Sequence, residues 1–93
     1  MIALVAKCFV LPGKEEEFKA LAAPLIEASN LEDGCLSYGL FRAKDGAHLA
    51  FVERWRDAAA LEAHNNSPHF TSIVPRFAAL VSKPGEVEFY EEF

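Results

Sequence analysis

The sequence is poor in the features that mark several large classes of protein. Only two cysteines, Cys8 and Cys35, occur among its 93 residues. They belong to no CxxC pair, so a disulfide framework is excluded and two reduced, buried thiols are expected. No apolar stretch approaches the roughly 18 residues that a transmembrane helix needs. A glycine-rich phosphate loop, a GxSxG turn and the flavin and nicotinamide fingerprints are also missing.

Basic residues are few and scattered. Nine lysines and arginines face fourteen acidic residues, for a net charge of −5. This balance argues against nucleic acid and anionic membranes as partners, because both require clustered positive charge. The opening stretch "MIALVAKCFV" lacks the charged start of a signal peptide, so we interpret it as a first strand and expect a cytoplasmic protein.

Apolar residues, in contrast, are abundant. They make up 52% of the chain and include eight phenylalanines. A chain of this length forms one domain, residues 1–93, and has a thin core. So much apolar surface suggests that part of it is buried between chains.

Periodicity and turn residues divide the chain into short elements. Alternating patterns predict strands at 2–11, 35–43, 47–56 and 86–93, and helical patterns predict helices at 14–29 and 57–81 with a break near Ser67. Pro24 predicts a kink or an early stop in the first helix, and Pro75 predicts a bend or break in the second.

This order, βαββαβ, predicts an α+β ferredoxin-like fold with a four-stranded antiparallel sheet and helices on one face. Both alternating sets of side chains in the strand at 2–11 are largely apolar, which indicates cover on both faces of the sheet. A second copy of the same sheet is the simplest cover, so we expect a homodimer.

Two histidines lie close together in "AHNNSPHF". His64 follows Leu61 by three residues, so both can face the sheet, near Tyr38 or Trp55. An imidazole titrates near neutrality and can accept a proton from a phenol-like acid. The alternative is a half-buried histidine bonded to backbone at a helix end.

His69 lies in the first turn of the following helical segment. It is either a hydrogen-bond donor in a site or a simple capping or surface residue. A metal site needs three or four convergent ligands. His64 and His69 are five residues apart across a helix break, which differs from the spacing of an HExxH helix. We therefore expect no metal.

Four further side chains are candidates for a binding pocket. Glu53 interrupts an apolar strand face, so it is either paired, for instance with an arginine, or raised in pKa and useful as an acid or base. Tyr38 and Trp55 either line a pocket for an aromatic ligand or fill the core. Asn65 is a helix-end residue or an amide donor to a substrate oxygen.

Three segments, "FVLPGKEEEFKAL", "EDGCLSYGLF" and "FVERWRDAAALEAHNNSPHF", resemble the antibiotic biosynthesis monooxygenase family in order and spacing. The resemblance covers nearly the whole chain. Its most specific parts are E-x-W at Glu53 and Trp55, A-x-x-x-H ending at His64, and S-P-H-F at Ser67 to Phe70.

The resemblance implies a dimeric α/β barrel and oxygenation of a small phenolic or quinol-type aromatic, with O₂ as co-substrate and no cofactor. It implies that His64 handles the proton. The side chains expected to bind substrate are Tyr38, Glu53, Trp55, Asn65, His69 and Phe70. Heme-degrading relatives use an axial histidine where this chain has Val74, so heme degradation is not expected.

Two other functions are compatible with the same fold: an isomerase that uses His64 as a base, and a ligand-binding dimer without catalysis. A non-catalytic protein should have a small pocket filled by Phe51, Phe70 and Phe77. An enzyme should have an aromatic-sized cavity on which His64 and polar groups from one strand converge.

Overall fold

The computed structural model describes all residues, 1–93, as one antiparallel sheet with helices on one face. The elements are β1 (Ile2–Cys8), α1 (Glu15–Asn30), β2 (Cys35–Arg42), β3 (Leu49–Trp55), α2 (Ala58–Asn65), α3 (Pro68–Ile73), a 3₁₀ helix (Val74–Leu80) and β4 (Glu86–Glu91). The strand order is β2-β3-β1-β4. The predicted ferredoxin-like α+β fold is confirmed. None of the helices has the length and apolar character needed to cross a bilayer.

The core lies between the sheet and α1. Phe18 of α1 is fully buried and stacks on Phe77 of the 3₁₀ helix, with ring centroids 4.3 Å apart. Phe51 of β3 meets both rings from the sheet side. This cluster of three rings joins α1 and the 3₁₀ helix to the sheet, and it forms the inner end of the space beneath α2 and α3.

The first helix has nearly the predicted bounds, and of the two outcomes predicted for Pro24 the early stop does not occur. It runs to Asn30, with Phe18 and Leu25 fully buried along its apolar stripe. A proline inside a helix removes one hydrogen bond and costs about 3 kcal/mol. Burial of large apolar side chains contributes about 2 kcal/mol each, so this stripe offsets the cost. Because α1 continues past Pro24 to Asn30, it leads directly into the loop before β2, which enters the candidate site.

The second proline acts as predicted. The α-helix ends at Ile73, and the chain continues from Val74 to Leu80 as a 3₁₀ helix with Pro75 in its first turn. Proline lacks the N–H that would continue the α-helical ladder. The change of helix type redirects the chain toward the end of β1.

The first strand is shorter than predicted, because it ends at Cys8 and not at residue 11. Cys8 is the last residue of β1 that pairs with β3, opposite Leu49. Beyond it the backbone pairs elsewhere, through a bridge between Val10 and Val81. The apolar pattern of residues 9–11 therefore reflects packing against the chain that follows the 3₁₀ helix.

One face of the sheet carries no helix. The strand registers assign to this open face Ala3, Val5, Gly39, Phe41, Ala50, Val52 and Tyr90, together with a few charged side chains near its edges. Phe41 is 57% exposed and Tyr90 is 50% exposed. Contiguous exposed apolar surface of this kind is typical of an interaction site.

Candidate functional site

A cavity of about 780 Å³ lies between the sheet and the helices α2 and α3. Its apolar walls include Leu4, Phe51, Phe70, Phe77 and Phe89. Four polar side chains that the sequence singled out also line it: Tyr38, Glu53, His64 and Asn65. The volume is in the range of small-molecule sites, so the cavity is not a pocket closed by phenylalanines.

The short helix α2 brings His64 to the cavity wall. Asp57 caps its first turn and accepts a hydrogen bond from the Ala60 backbone N–H at 2.9 Å. Ala60 and His64 are one helical turn apart and both are buried against the sheet. His64 is 1% exposed, and its ring centroid lies 4.5 Å from Trp55 and 5.3 Å from Tyr38. The sequence predicted that His64 lies near Tyr38 or Trp55, and in the structure it lies near both.

The break between α2 and α3 brings the second histidine back beside the first. Ser67 donates its hydroxyl to the carbonyl of His64 at 2.7 Å and accepts from the Phe70 backbone N–H at 3.3 Å. It thus ends one helix and caps the next. As a result the rings of His64 and His69 lie 6.0 Å apart, and Phe70 meets His64 edge-on.

Glu32 is the residue of the site that the sequence did not indicate. Its Oε2 lies 2.6 Å from Nδ1 of His64 and 2.8 Å from Nε2 of His69. Glu32 belongs to the loop between α1 and β2, more than thirty positions before either histidine. Its motif "LEDG" looks like an ordinary turn, so no local signal could have identified it.

Gly34 fixes the loop that carries Glu32. Its φ of 87° lies in the left-handed region, and an added Cβ would meet the Cβ of Ala60 at 2.6 Å. Its carbonyl accepts a hydrogen bond from the Arg56 backbone N–H at 2.8 Å. Only glycine can adopt this left-handed φ and also leave room for the side chain of Ala60 without strain. The loop is therefore packed closely against the start of α2.

The three side chains of this cluster could hold a metal ion. One ligand atom each from Glu32, His64 and His69 lies within 4.8 Å of the other two. Histidine spacing did not predict this set, because the third group comes from a distant loop. The two short hydrogen bonds join His64 Nδ1 and His69 Nε2 to the same oxygen of Glu32, and the absence of a metal stays a prediction.

The surroundings of His64 favour the neutral form of its imidazole. Burial lowers its pKa below the ordinary histidine value, and the hydrogen bond to Glu32 only partly opposes this. A carboxylate accepts hydrogen bonds and does not donate them. Nδ1 of His64 therefore carries the imidazole hydrogen and donates it in a hydrogen bond to Glu32. Nε2 then holds the lone pair, and it has no hydrogen-bond partner within the chain.

Glu53 is paired with an indole and not with an arginine. Trp55 donates its Nε1–H to Oε1 of Glu53 at 3.0 Å, and Glu53 is 5% exposed. Burial raises the pKa of Glu53 to about 7, and the bond from Trp55 opposes this only in part. Of the two readings that the sequence left open, the structure favours a carboxyl group with a raised pKa on the cavity wall.

The remaining predicted site residues occupy different depths. Tyr38 is buried on the cavity wall, and burial together with the nearby Glu53 raises its pKa far above the ordinary value, so it remains a hydroxyl donor. Trp55 is fully buried and does not line the cavity. Asn65 is exposed and lies on the cavity lining, whereas His69 contacts Glu32 outside that lining.

Cys8 lines the same cavity but is not a candidate nucleophile. Burial raises the pKa of its thiol to about 11. The thiolate is the reactive form, and at neutral pH very little of it is present. The other polar side chains on the cavity lining carry imidazole, carboxyl, hydroxyl, amide and ammonium groups.

Comparison with known proteins gives a family match over most of the chain. The family model for antibiotic biosynthesis monooxygenases matches residues 1–76. The protein sll1783 of Synechocystis is 40% identical over 84 residues, which are 88% of this chain but only 56% of that protein. YcnE of Bacillus subtilis, named as a candidate monooxygenase, is 40% identical over 94% of this chain and 93% of its own length.

The fold is shared with solved structures. The structure of Rv0793 from Mycobacterium tuberculosis superposes on this chain with a TM-score of 0.92 at 30% sequence identity. The superposition covers 99% of this chain and 94% of the Rv0793 chain. A family match over most of the chain, together with relatives of this identity, is sufficient for assignment. The chain therefore belongs to the antibiotic biosynthesis monooxygenase family.

Proposed function

We propose that this protein is a monooxygenase that oxidises a small phenolic or quinol-type aromatic with O₂ and uses no cofactor. The observation that carries the proposal is His64: a buried, neutral imidazole on the wall of an aromatic cavity, with Nδ1 held by Glu32 and Nε2 without a partner. A base poised in this way can take a phenolic proton inside an apolar pocket.

The walls of the cavity suit a flat aromatic ring. Phe51, Phe70 and Phe89 offer apolar faces and edges, against which aromatic rings pack favourably. Tyr38, Glu53 and Asn65 are among the polar groups of the lining that would orient substrate oxygens. Trp55 and His69 would act from behind the wall, through their hydrogen bonds to Glu53 and Glu32.

The proposed reaction balances with substrate and O₂ alone. His64 Nε2 takes the phenolic proton, and the resulting phenolate transfers one electron to O₂. The two radicals combine to form a C–O bond, and His64 returns the proton to give a hydroperoxide. The ring C–H proton then leaves to His64 and the O–O bond breaks. The departing hydroxide takes up that proton, and the products are a quinone and water.

Glu53 suits the second half of this sequence. With a pKa of about 7 it is partly protonated at neutral pH and can donate a hydrogen bond to a peroxide oxygen. The carboxyl group would thereby stabilise negative charge as the O–O bond breaks. His64 as base and Glu53 as acid give the two opposite proton-transfer roles that the reaction needs.

Oxygen uptake with a panel of hydroquinones and anthrones tests the proposed function. We expect enzyme-dependent uptake of one O₂ per substrate, with one atom from ¹⁸O₂ in the product and the other in water. Reactions without protein correct for autoxidation. An isomerase would turn over its substrate without O₂, and a binding protein would gain thermal stability from ligand without turnover. Either result, with no oxygen uptake, would reject the monooxygenase.

We also propose that two copies pair through the open face of the sheet, as a dimeric α/β barrel. Only 16 of the 93 residues are buried within one chain, although 52% are hydrophobic. The apolar centre of the face and the opposite charges of Lys7 and Glu88 beside it suit a self-complementary contact.

A single charge at the centre of this face should prevent pairing. In the isolated chain the side chain of Val52 is half-exposed, so glutamate there can reach water, but a partner sheet would bury it. By light scattering we expect twice the chain mass for the wild type and one chain mass for Val52→Glu. Leu31→Glu, on an exposed loop, is the control and should remain a dimer. A monomeric wild type would refute the dimer.

A further inference from the structure

The carboxylate of Glu32 is shared between two imidazoles. Oε2 accepts from His64 Nδ1 at 2.6 Å and from His69 Nε2 at 2.8 Å. Neither contact is a loose surface ion pair, since the side chains of Glu32 and His69 are only 14% and 20% exposed. Hydrogen bonds to an ionised acceptor in such surroundings are short and strong.

The shared oxygen determines which nitrogen of His64 carries the proton. A neutral imidazole has one N–H and one lone pair, and the group bonded to one nitrogen selects the tautomer. Because Glu32 accepts at Nδ1, the lone pair must reside on Nε2. Without the carboxylate, the buried Nδ1 would have no acceptor and the Nε2–H form, which cannot act as a base at that atom, would be favoured equally or more.

The surroundings of Glu32 restrict its movement. Gly34, two residues later, packs against Ala60 and binds the backbone of Arg56, so the loop cannot shift away from α2. His69 holds the same oxygen from the side of α3. The carboxylate is thus bonded to α2 through His64 and to α3 through His69, and its loop is bonded to the backbone of Arg56, as is required of a group that fixes a catalytic side chain.

We propose that Glu32 is a positioning residue: anchored by His69, its carboxylate holds His64 in the Nδ1–H tautomer, so that the Nε2 lone pair is available to substrate. This inference rests on the proposed role of His64 as the base. It assigns a function to a loop residue that touches neither the cavity nor the substrate.

Imidazole ¹⁵N NMR of the free protein tests the tautomer directly. In the wild type at pH 7.5 we expect His64 with a protonated Nδ1 and an unprotonated Nε2. In Glu32→Gln the amide can either accept or donate, so the preference should be lost and a mixture of tautomers or the Nε2–H form should appear. Asp33→Asn removes a neighbouring, 95% exposed carboxylate and should leave the spectrum of His64 unchanged.

Turnover provides the second measurement. With a substrate that consumes O₂, Glu32→Gln should lower kcat at least 10-fold and change KM less than 3-fold, because binding groups stay in place. Asp33→Asn should match the wild type. A wild-type His64 protonated at Nε2, or an unchanged tautomer in Glu32→Gln, would overturn the inference even if the variant were inactive.

The two proposals fail separately. If the NMR tautomers behave as expected but no substrate in the panel consumes O₂, Glu32 still positions His64 and the monooxygenase reaction is rejected. If O₂ is consumed with the wild-type protein while Glu32→Gln retains both tautomer and kcat, the reaction stands and the role of Glu32 is rejected. The wild-type spectrum is informative even if the variant does not fold.

Discussion

Replacing His64 with asparagine is expected to lower kcat for oxygen-consuming turnover by about 10²- to 10⁴-fold, the usual contribution of a positioned acid–base group. The asparagine amide lies near the position of the imidazole Nδ1 and can still donate to Glu32. It has no atom in the place of Nε2, so the base is lost while the hydrogen bond that anchors it is kept.

His48→Asn is the matched control for this substitution. His48 lies in the turn before β3, outside the cavity, where its ring packs against Phe9. The same chemical change there should leave kcat and KM at wild-type values. Fluorescence of the single, fully buried Trp55, which touches His64, reports whether the core of each variant is intact. Wild-type turnover by a folded His64→Asn protein would remove His64 from the mechanism.

Replacing Glu53 with glutamine is expected to stabilise the protein at pH 8 by up to about 3 kcal/mol, the free-energy equivalent of a pKa raised from 4.5 to about 7. The unfolded chain ionises Glu53 from about pH 4.5, whereas the folded chain resists ionisation until about pH 7. Wild-type stability should therefore fall as the pH rises through this window, and stay lower above it. Glutamine retains an acceptor for the Trp55 N–H and cannot ionise.

The measurement is the free energy of unfolding in urea, at one fixed protein concentration, between pH 4 and pH 8. The lowered pKa of His64 acts in the opposite direction, since stability is lost as the pH falls below 6.5, but it is common to both proteins and cancels in their difference. Glu62→Gln, an exposed residue of α2, is the control. A difference between Glu53→Gln and wild type that does not change with pH would show that Glu53 is not held as the neutral acid.

The fold was largely predictable from the sequence because it depends on local patterns. Period-two alternation identified the strands, Asp57 and Ser67 identified the helix starts, and Pro75 identified a break in the last helical segment. What the sequence left open concerns competition between a local energetic cost and packing against distant residues. Pro24 is tolerated because the buried face of α1 outweighs one lost hydrogen bond, and no local pattern reports that balance.

The site was predictable only in part. His64, Tyr38, Glu53, Asn65 and Phe70 were all expected, and all five line the cavity. Sequence could not separate a paired Glu53 from one with a raised pKa, because the difference depends on which groups surround it after folding. The position of Trp55, behind the wall and bonded to Glu53, is likewise a property of the packed core.

By itself the sequence determined the order of strands and helices, the family and the identity of the central imidazole, since periodicity, capping residues and short motifs are written in neighbouring positions. The tertiary structure alone decided that Glu32 meets His64 and His69, that a cavity remains between the helices and the sheet, and that Glu53 is buried without a cation. These properties arise from groups far apart in the chain, whose distances and solvation are set only when the sheet and helices pack together.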